Sequence, residues 1–343
     1  LINPGSAPSV TGTIGDYYNG TFTTRKGVAA FLLSGGTFNL NAHSFQLGEW
    51  ANAGDYSDGN ASLTLENDAQ ADVDYVILAN RDGNAQGYLN LNGGSLTLKY
   101  IRKGGNNSSG NTAQAAVAFN GGTLRVTPGG NAVSSLVQTG ANNSPALLNV
   151  YAGGAVIDIP GADGGVTLDQ PLRAPANFGV TSITVTSPGA GYIGPPAITL
   201  TGGNGTGATA FAEIDLSTGA LTAIRVTSPG VGYTSAPTVN LRGGGATAEA
   251  AATAAIGTVA SGGFTKLGPG MLILNAANTY TGPTVVSNGT LRLGAGAQTI
   301  LPASALTLAG GTLDLAGGAL TNNNVVTLAG GRLVNGSVSA PSF

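Results

Sequence analysis

The sequence has no cysteine and only one histidine, and each shortage excludes a class of site. Without cysteine there is neither a disulfide framework nor a thiolate metal site. The single histidine, His43, lacks the neighbours of a nucleophile elbow or of a His-x-x-x-His zinc pair. We therefore interpret His43 as a turn residue at the end of a short strand.

Charge is also scarce, at 8% of residues, with 13 basic and 16 acidic side chains and a net charge of −3. Such a chain lacks the basic surface that nucleic acid or anionic lipid requires, so we expect neither partner. No apolar run approaches the roughly 18 residues that would span a membrane. Because the sequence starts at Leu1 with no apolar leader before it, we expect an exported protein whose signal peptide has been removed.

Glycine, in contrast, is abundant, with 57 residues, and it does not recur every third position as in collagen. The hydrophobic fraction of 42% is too high for a disordered chain. The glycines are therefore expected to form tight turns between ordered strands. This composition favours an all-β protein.

A Gly-Gly pair followed at once by an alternating strand recurs along the first half of the chain. The copies are SGGTFNLN from Ser34, NGGSLTLK from Asn92, NGGTLRVT from Asn120 and AGGAVIDI from Ala152. The last three are roughly 30 residues apart and the first interval is about twice that, so we take NASLTLEN from Asn60 as the missing copy. Unequal intervals of this size are typical of a β-helix with variable loops.

The same pattern returns near the C-terminus as LTLAGGTLDL and VTLAGGRLVN. We predict that each strand sends alternate residues into a narrow core and that the second glycine of each pair adopts a positive φ. The predicted structural turn and repeat positions are Gly36, Gly94, Gly122, Gly154, Gly268, Gly270, Asn278, Tyr280, Gly282, Gly289, Gly311 and Gly331.

Between these regions the pattern changes to a tandem repeat. VTSPGAGYIGPPAITLTGG from Val185 recurs as VTSPGVGYTSAPTVNLRGG from Val226. Residues 208–226 have the order strand, tight turn, strand, which predicts an antiparallel hairpin. We expect an insertion that stands off the solenoid and tolerates deletion; the alternative is a wider continuation of the coil.

The stretch from Gly262 to Gly294, GGFTKLGPGMLILNAANTYTGPTVVSNGTLRLG, closely resembles the passenger-associated repeat of bacterial autotransporters. The segment from Tyr88 to Ala174, with VAFNGGTLRVT and GGAVIDI, is similar to long exported proteins of the same family. The resemblance implies a right-handed parallel β-helix displayed outside the cell. It implies nothing about catalysis.

We thus predict an all-β fold, a right-handed parallel β-helix (β-solenoid) with an inserted antiparallel tandem-repeat β domain. Residues 1–27 form an N-terminal segment with edge strands, and residues 28–175 the first part of the solenoid. Residues 176–254 form the insertion, and residues 255–343 the second part of the solenoid.

Half of the acidic residues fall between Glu49 and Asp82. On a β-helix, carboxylates of neighbouring coils can converge on Ca²⁺ or a sugar, and the candidate residues are Asp68, Asp72, Asp74, Arg81 and Asp82. Trp50, Tyr56, Tyr75 and Tyr88 are close in sequence and could stack on sugar rings. We favour the simpler interpretation, in which these are solvated turns and no cofactor is bound.

The sequence therefore predicts a non-enzymatic structural protein, located outside the cell or on the bacterial surface, that contributes to a fibre, layer or adhesin. Its expected partner is itself, in a head-to-tail homopolymer, with cell-surface or matrix carbohydrate as a further partner. The alternative is a carbohydrate-active enzyme or carbohydrate-binding module that uses the acidic window 49–82.

Overall fold

The computed structural model describes residues 17–18, 21–25, 27–39, 44–49, 59–80, 85–104, 113–127, 134–138, 146–161, 165–294 and 304–342. At residues 17, 18, 21–25, 27, 49, 80 and 134 it describes the backbone alone. All regular elements in these ranges are β-strands, as the composition predicted. His43, Trp50, Tyr56, Arg81 and Asp82 lie outside the described residues.

Most strands belong to a part of the chain that we call the parallel unit, residues 17–173 and 264–342. Its first nineteen strands are β1 (Tyr17–Tyr18), β2 (Thr21–Arg25), β3 (Gly27–Ser34), β4 (Thr37–Asn39), β5 (Ser44–Glu49), β6 (Gly59–Glu66), β7 (Gln70–Asp72), β8 (Tyr75–Asn80), β9 (Gln86–Leu91), β10 (Ser95–Leu98), β11 (Tyr100–Lys103), β12 (Gln114–Phe119), β13 (Thr123–Val126), β14 (Ser134–Ser135), β15 (Val137–Gln138), β16 (Leu147–Val150), β17 (Ala155–Asp158), β18 (Gly165–Leu168) and β19 (Leu172–Arg173).

The chain then builds a second part, the inserted unit, and returns. The strands of the inserted unit are β20 (Phe178–Ser187), β21 (Ala197–Thr201), β22 (Thr206–Asp215), β23 (Ala220–Val231), β24 (Thr238–Arg242) and β25 (Ala251–Thr258). The parallel unit resumes with β26 (Phe264–Leu267), β27 (Met271–Leu274), β28 (Thr284–Val286), β29 (Thr290–Leu293), β30 (Leu306–Leu308), β31 (Thr312–Asp314), β32 (Ala319–Thr321), β33 (Val326–Leu328), β34 (Arg332–Val334) and β35 (Ser337–Ser339).

The parallel unit stacks equivalent strands of successive coils into long sheets. Sheet I contains β3, β6, β9, β12, β16 and β19, and sheet II contains β4, β7, β10, β13, β17, β26, β28, β30 and β33. Sheet III contains β1, β2, β5, β8, β11 and β15, and sheet IV contains β14, β18, β27, β29, β31 and β34. Apart from the antiparallel β1–β2 pair, the strand pairs of the parallel unit are parallel. The fold is therefore all-β and mostly parallel.

Register explains the core of the parallel unit. In sheet I, Phe31, Leu63, Leu89, Val117, Leu148 and Leu172 stand side by side on successive strands. All six side chains are buried. One continuous apolar cluster extends from Phe31 to Val326 and includes residues on both sides of the insertion. Alternation places the next residues outward, as in β17, where Ala155 and Ile157 are buried and Asp158 is half-exposed.

The Gly-Gly strands of the first half all lie in sheet II, as β4, β10, β13 and β17. The assignment of NASLTLEN as the missing copy was wrong, because that segment forms β6 in sheet I. The missing member is β7, which pairs with both β4 and β10. The turn before β7 has no glycine, and Asn67 adopts the left-handed conformation there with φ 55°. Asparagine tolerates this conformation, so a search for glycine pairs missed the coil.

The predicted positive φ is observed at Gly36, Gly94 and Gly154, and Gly268 and Gly289, which are not in glycine pairs, also have a positive φ. It was wrongly assigned at Gly122, Gly311 and Gly331, since in those pairs the first glycine, Gly121, Gly310 or Gly330, has the positive φ. Gly122 is instead constrained by space. A Cβ there would lie 2.6 Å from the carbonyl oxygen of Gly93 on the preceding coil.

The inserted unit is antiparallel. β22 and β23 form the hairpin that the sequence predicted, and β20 pairs with both β23 and β25. A separate two-stranded sheet joins β21 to β24. The unit has an apolar cluster of its own, centred on Val180, Tyr192, Ala212 and Tyr233.

The expectation that the insertion stands off the parallel unit was wrong. The inserted unit lies on the outer surface of sheet I, where Asn90 of β9 and Asn92 after it hydrogen-bond to β22 and β23. As a result, the middle strands of sheet I are buried on both surfaces, whereas those of sheet II alternate between buried and exposed residues. The placement creates a cleft between the two units.

Candidate functional site: the cleft between the two units

The cleft has a volume of about 410 Å³. Its floor is the outer surface of β3, β6, β9 and β12, and its roof is formed by β21, β22 and the turn between them. None of the described residues that line it is charged. Amides, hydroxyls and small side chains predominate, so the described lining of the cleft is polar and neutral.

Three amide side chains form a row on the floor. Asn60, Gln86 and Gln114 are direct neighbours in the register of β6, β9 and β12. Neighbouring parallel strands are about 4.8 Å apart, so the amides repeat at that interval. The Nδ2 group of Asn60 donates to Oε1 of Gln86 over 3.0 Å. We call these three residues the amide row.

Tyr88 holds the amide row from the next outward position on β9. Its hydroxyl lies 3.1 Å from Oε1 of Gln86 and 3.0 Å from Oε1 of Gln114 and donates its single hydrogen to one of them at a time. The hydroxyl of Thr206, in the roof, also donates to Oε1 of Gln114. Burial raises the pKa of Tyr88, so the phenol stays neutral and remains a donor at physiological pH.

The carbonyl oxygens of Gln86 and Gln114 are thus occupied, while their Nε2 groups have no hydrogen-bond partner among the described residues. These groups are not buried. Each amide therefore presents N–H donors to the cleft in an orientation that its own carbonyl contact fixes. The sequence analysis named Tyr88 but missed the three amides. Their shared position, two residues before Ser62, Tyr88 and Ala116, was the available signal.

The roof is held down beside the cleft by polar contacts. Nδ2 of Asn90 donates to Oγ1 of Thr209 over 2.8 Å, and Nδ2 of Asn92 donates to the carbonyl oxygen of Thr227 over 2.7 Å. Thr209 and Thr227 are themselves hydrogen-bonded at 2.7 Å. Farther along, Tyr151 packs under Ser228, and burial raises its pKa to about 12.

An ion pair completes this contact between the units. Nη2 of Arg225 donates to Oε1 of Glu66 over 3.0 Å, and Nη1 contacts the second carboxylate oxygen. Nε of the same guanidinium contacts Glu213 at 3.3 Å. The hydrogen bond with Glu66 raises the pKa of Arg225. One acidic residue of the 49–82 window therefore fastens the inserted unit.

The other acidic candidates are distributed along the parallel unit. Asp68 and Asp72 are exposed, and Asp74 forms a salt bridge with Lys99. In the described ranges, no three carboxylate or histidine side chains lie close enough together to hold a metal ion. Arg81 and Asp82 are outside those ranges, so a site that includes them stays a prediction.

A second polar site lies in the stretch that carries the family resemblance. Lys266 is fully buried, and its Nζ donates to the carbonyl oxygens of Leu267 (2.6 Å), Gly268 (2.8 Å) and Asn288 (3.4 Å). Burial lowers its pKa to about 8, against a smaller opposing effect of Asp158. The side chain thus ties the turn after β26 to the turn before β29.

Asn278 and Tyr280 fasten the following loop. Oδ1 of Asn278 accepts from the backbone N–H of Leu172 over 2.8 Å, across the point where the chain leaves for the inserted unit. The buried hydroxyl of Tyr280 lies 2.5 Å from Oγ1 of Thr284, and burial raises its pKa. Gly270 and Gly282 leave no room for a Cβ against the neighbouring coil. These contacts are structural, because they fix the loop between β27 and β28 against neighbouring strands.

Taken together, the strands and turns define an all-β repeat protein in which short parallel strands stack coil upon coil. Residues 264–293 match the family model of the passenger-associated-transport-repeat, which confirms the resemblance found between Gly262 and Gly294; the similarity of Tyr88 to Ala174 stays a prediction. The match covers β26 to β29, including Lys266, Asn278 and Tyr280. Comparisons with curated proteins and with solved structures gave no significant match. No helix in the described part of the chain is long and apolar enough to cross a membrane.

Proposed function

We propose that this chain is a non-enzymatic, surface-displayed structural protein, part of the passenger of an autotransporter. The passenger-associated-transport-repeat at residues 264–293 carries the proposal, because that repeat belongs to exported passengers. The mostly parallel all-β architecture is consistent with it. We further propose that the coils form one closed, right-handed β-solenoid. In this role the molecule acts as a rigid spacer or adhesin outside the cell.

Surface display can be tested on intact cells of the source organism. An antibody raised against residues 59–127, which include exposed outward positions of sheet II, should label unpermeabilised cells, and external protease should remove the signal. A periplasmic or cytoplasmic marker in the same cells should resist the protease. Labelling that requires permeabilisation would refute surface display.

The proposal includes association of copies end to end. In sheet II the outermost strands are β4 and β33, and each has one neighbouring strand among the described residues. The N–H of Val326 on β33 also donates to the carbonyl oxygen of Ser342 over 3.2 Å, so the edge of β33 is partly covered. Leu328 on β33 is 51% exposed. An open strand edge beside an exposed apolar side chain is a template for another strand. Pairing of β33 with β4 of a second copy would be head-to-tail, and such contacts generate filaments when they do not close.

Sedimentation velocity over a concentration series tests this association. The chain should form larger species as concentration rises, and Leu328→Lys should abolish them. Leu216→Lys is the matched control, because Leu216 is also exposed but lies in the hairpin turn of the inserted unit. A single monomeric species at every concentration would rule out the homopolymer and would leave surface display untouched.

A further inference from the structure

The cleft between the two units has the properties of a ligand site rather than of a packing defect. Its volume of about 410 Å³ lies within the usual range for small-molecule pockets, ~300–1,000 Å³. Its floor is part of a long hydrogen-bonded sheet, and its roof is fastened by the Asn90, Asn92 and Arg225 contacts. Such a site is formed before a ligand arrives, which lowers the entropic cost of binding.

The chemistry of the lining restricts the ligand. A charged ligand would lose its hydration in a cleft whose described lining offers no charge of either sign, which is costly. A purely apolar ligand would bury the free N–H groups of Gln86 and Gln114 without a partner, which is also costly. The ligand that fits is therefore neutral and carries several hydroxyl or amide groups.

The geometry of the amide row adds a directional requirement. Polar groups repeat along the stacking axis at the strand interval: the Oδ1 acceptor of Asn60, then the Nε2 donors of Gln86 and Gln114. The ring of Tyr88 lies between floor and roof, within 4.0 Å of the position that a Cβ on Gly207 would occupy. An elongated molecule with hydroxyl groups at intervals along its length satisfies such a row.

We infer that the cleft binds a short segment of a neutral saccharide, with Gln86 and Gln114 donating to its hydroxyl groups and Asn60 contributing Oδ1 as an acceptor. Asn60 lies within the sequence window 49–82, but among the described residues the site uses none of that window's carboxylates, which would take a metal or a sugar. The inference would make the surface protein of the proposed function an adhesin for neutral glycans. Its binding chemistry is a property of the isolated chain and does not depend on where the chain is displayed.

A glycan array that carries both neutral and acidic glycans is the direct test, followed by calorimetry with the neutral glycan that gives the strongest signal. The variants Gln86→Met and Gln114→Met keep the side-chain length and remove the amide. Gln70→Met is the control, because Gln70 is an exposed glutamine on sheet II, outside the cleft. Circular dichroism melts of all four proteins verify that each is folded.

The wild-type protein should bind neutral glycans. Each cleft variant should weaken binding about tenfold, because one hydrogen bond from the amide to the glycan is lost and the glycan hydroxyl is left without a partner. Gln70→Met should bind like the wild type. The inference is overturned if no neutral glycan on the array binds, if only acidic glycans bind, or if binding survives in both cleft variants. Cell-surface labelling gives an independent answer, so failure here and failure of the proposed function can be told apart.

Discussion

Ile183 lies directly opposite Ile224 in the antiparallel pairing of β20 with β23. The two residues occupy the same position in the two copies of the tandem repeat, since each precedes a Val-Thr-Ser-Pro-Gly segment by two residues. Thr199 and Asn240, also equivalent, face each other across β21 and β24. The inserted unit is therefore built with approximate two-fold symmetry, and each copy completes the other.

Glycines at the contact between the copies provide a test of this interlocking. Gly202 and Gly203 both have positive φ, but a Cβ at Gly203 would lie 2.4 Å from the carbonyl oxygen of Ser235, whereas one at Gly202 would meet nothing within 4 Å. Gly202→Ala should therefore cost only backbone strain, about 1–2 kcal/mol. Gly203→Ala should cost a further 1–3 kcal/mol or so from the clash with the second copy. Equal losses in denaturant unfolding would contradict the interlocked arrangement.

A comparable pair of glycine substitutions tests the close packing between neighbouring strands of the parallel unit. Gly122→Ala should destabilise the protein by about 1–3 kcal/mol, because the new Cβ would overlap the carbonyl oxygen of Gly93 in the preceding coil. Gly161→Ala is the control, because no atom lies within 4 Å of its Cβ position and its φ is not positive. Urea unfolding followed by circular dichroism measures both. A Gly122→Ala protein as stable as Gly161→Ala would mean that the coils are not in this close register.

The ion pair between Arg225 and Glu66 should behave as a single unit. Arg225→Met removes the partner of a largely buried carboxylate and should cost about 1–3 kcal/mol. Adding Glu66→Gln should restore part of that loss, since the uncompensated charge disappears. The matched control is Arg242→Met, on the exposed strand β24, which we expect to change little. A double-mutant cycle with a coupling energy near zero would show that the pair does not fasten the inserted unit.

The buried amine of Lys266 predicts a rise in stability in mildly alkaline solution. Its pKa is about 8 in the folded protein and near the ordinary 10.5 when unfolded, so between these values the unfolded state binds more protons. The free energy of unfolding therefore rises with pH in that window. Tyr151 and Tyr233 act oppositely above pH ~10, because burial raises their pKa values to about 12.

The measurement is the pH dependence of unfolding from pH 7 to 9.5 for the wild type and for Lys266→Met. The variant lacks the titrating amine and should lose the rise, although it is less stable overall because three carbonyl oxygens lose their donor. Parallel pH profiles for the two proteins would show that Lys266 does not titrate in this range.

Deletion of residues 176–258, replaced by a short Gly-Ser linker, gives a last prediction. The β signal in circular dichroism should persist, because the parallel unit has its own core. The melting temperature should fall and binding of a hydrophobic dye should increase, because the buried side chains of Tyr88 on β9 and Tyr151 just after β16 become exposed. A deletion protein as stable as the wild type would show that the inserted unit, which covers sheet I, contributes nothing to the stability of the parallel unit.

The parallel strands were predictable because their glycines and alternating residues are local signals. The β22–β23 hairpin was equally visible around Leu216 to Gly219. Two features of the fold were not predictable from the sequence. Asn67 replaced a glycine pair and hid one coil, and contacts across more than a hundred residues, such as Asn90 with Thr209, leave no periodic trace.

The cleft was missed for the same reason. A clue existed in sheet I, where the strand QAAVAF has alanines at outward positions. Outward alanines such as Ala116 and Ala118 are typical of a sheet surface that is covered by another element. The sequence of the strand does not specify which element covers it. Only the fold of the tandem repeat shows which of its strands form the cover. Thr209, for example, makes a contact that its equivalent Ala250 lacks.

The pairing of β20 with β25, in which Phe178 stands opposite Thr258, has a consequence for the order of folding. The first and last strands of the inserted unit are adjacent. When they pair, the end of the inserted unit comes to lie beside its beginning, where the chain left the parallel unit. Before β20 and β25 pair, the hydrogen bond between Asn278 and Leu172 has to close a loop of 106 residues of unfolded chain. After β20 and β25 have paired, the effective loop is much shorter, so the entropic cost of closing it is lower. We therefore expect the inserted unit to form before Asn278 docks on Leu172.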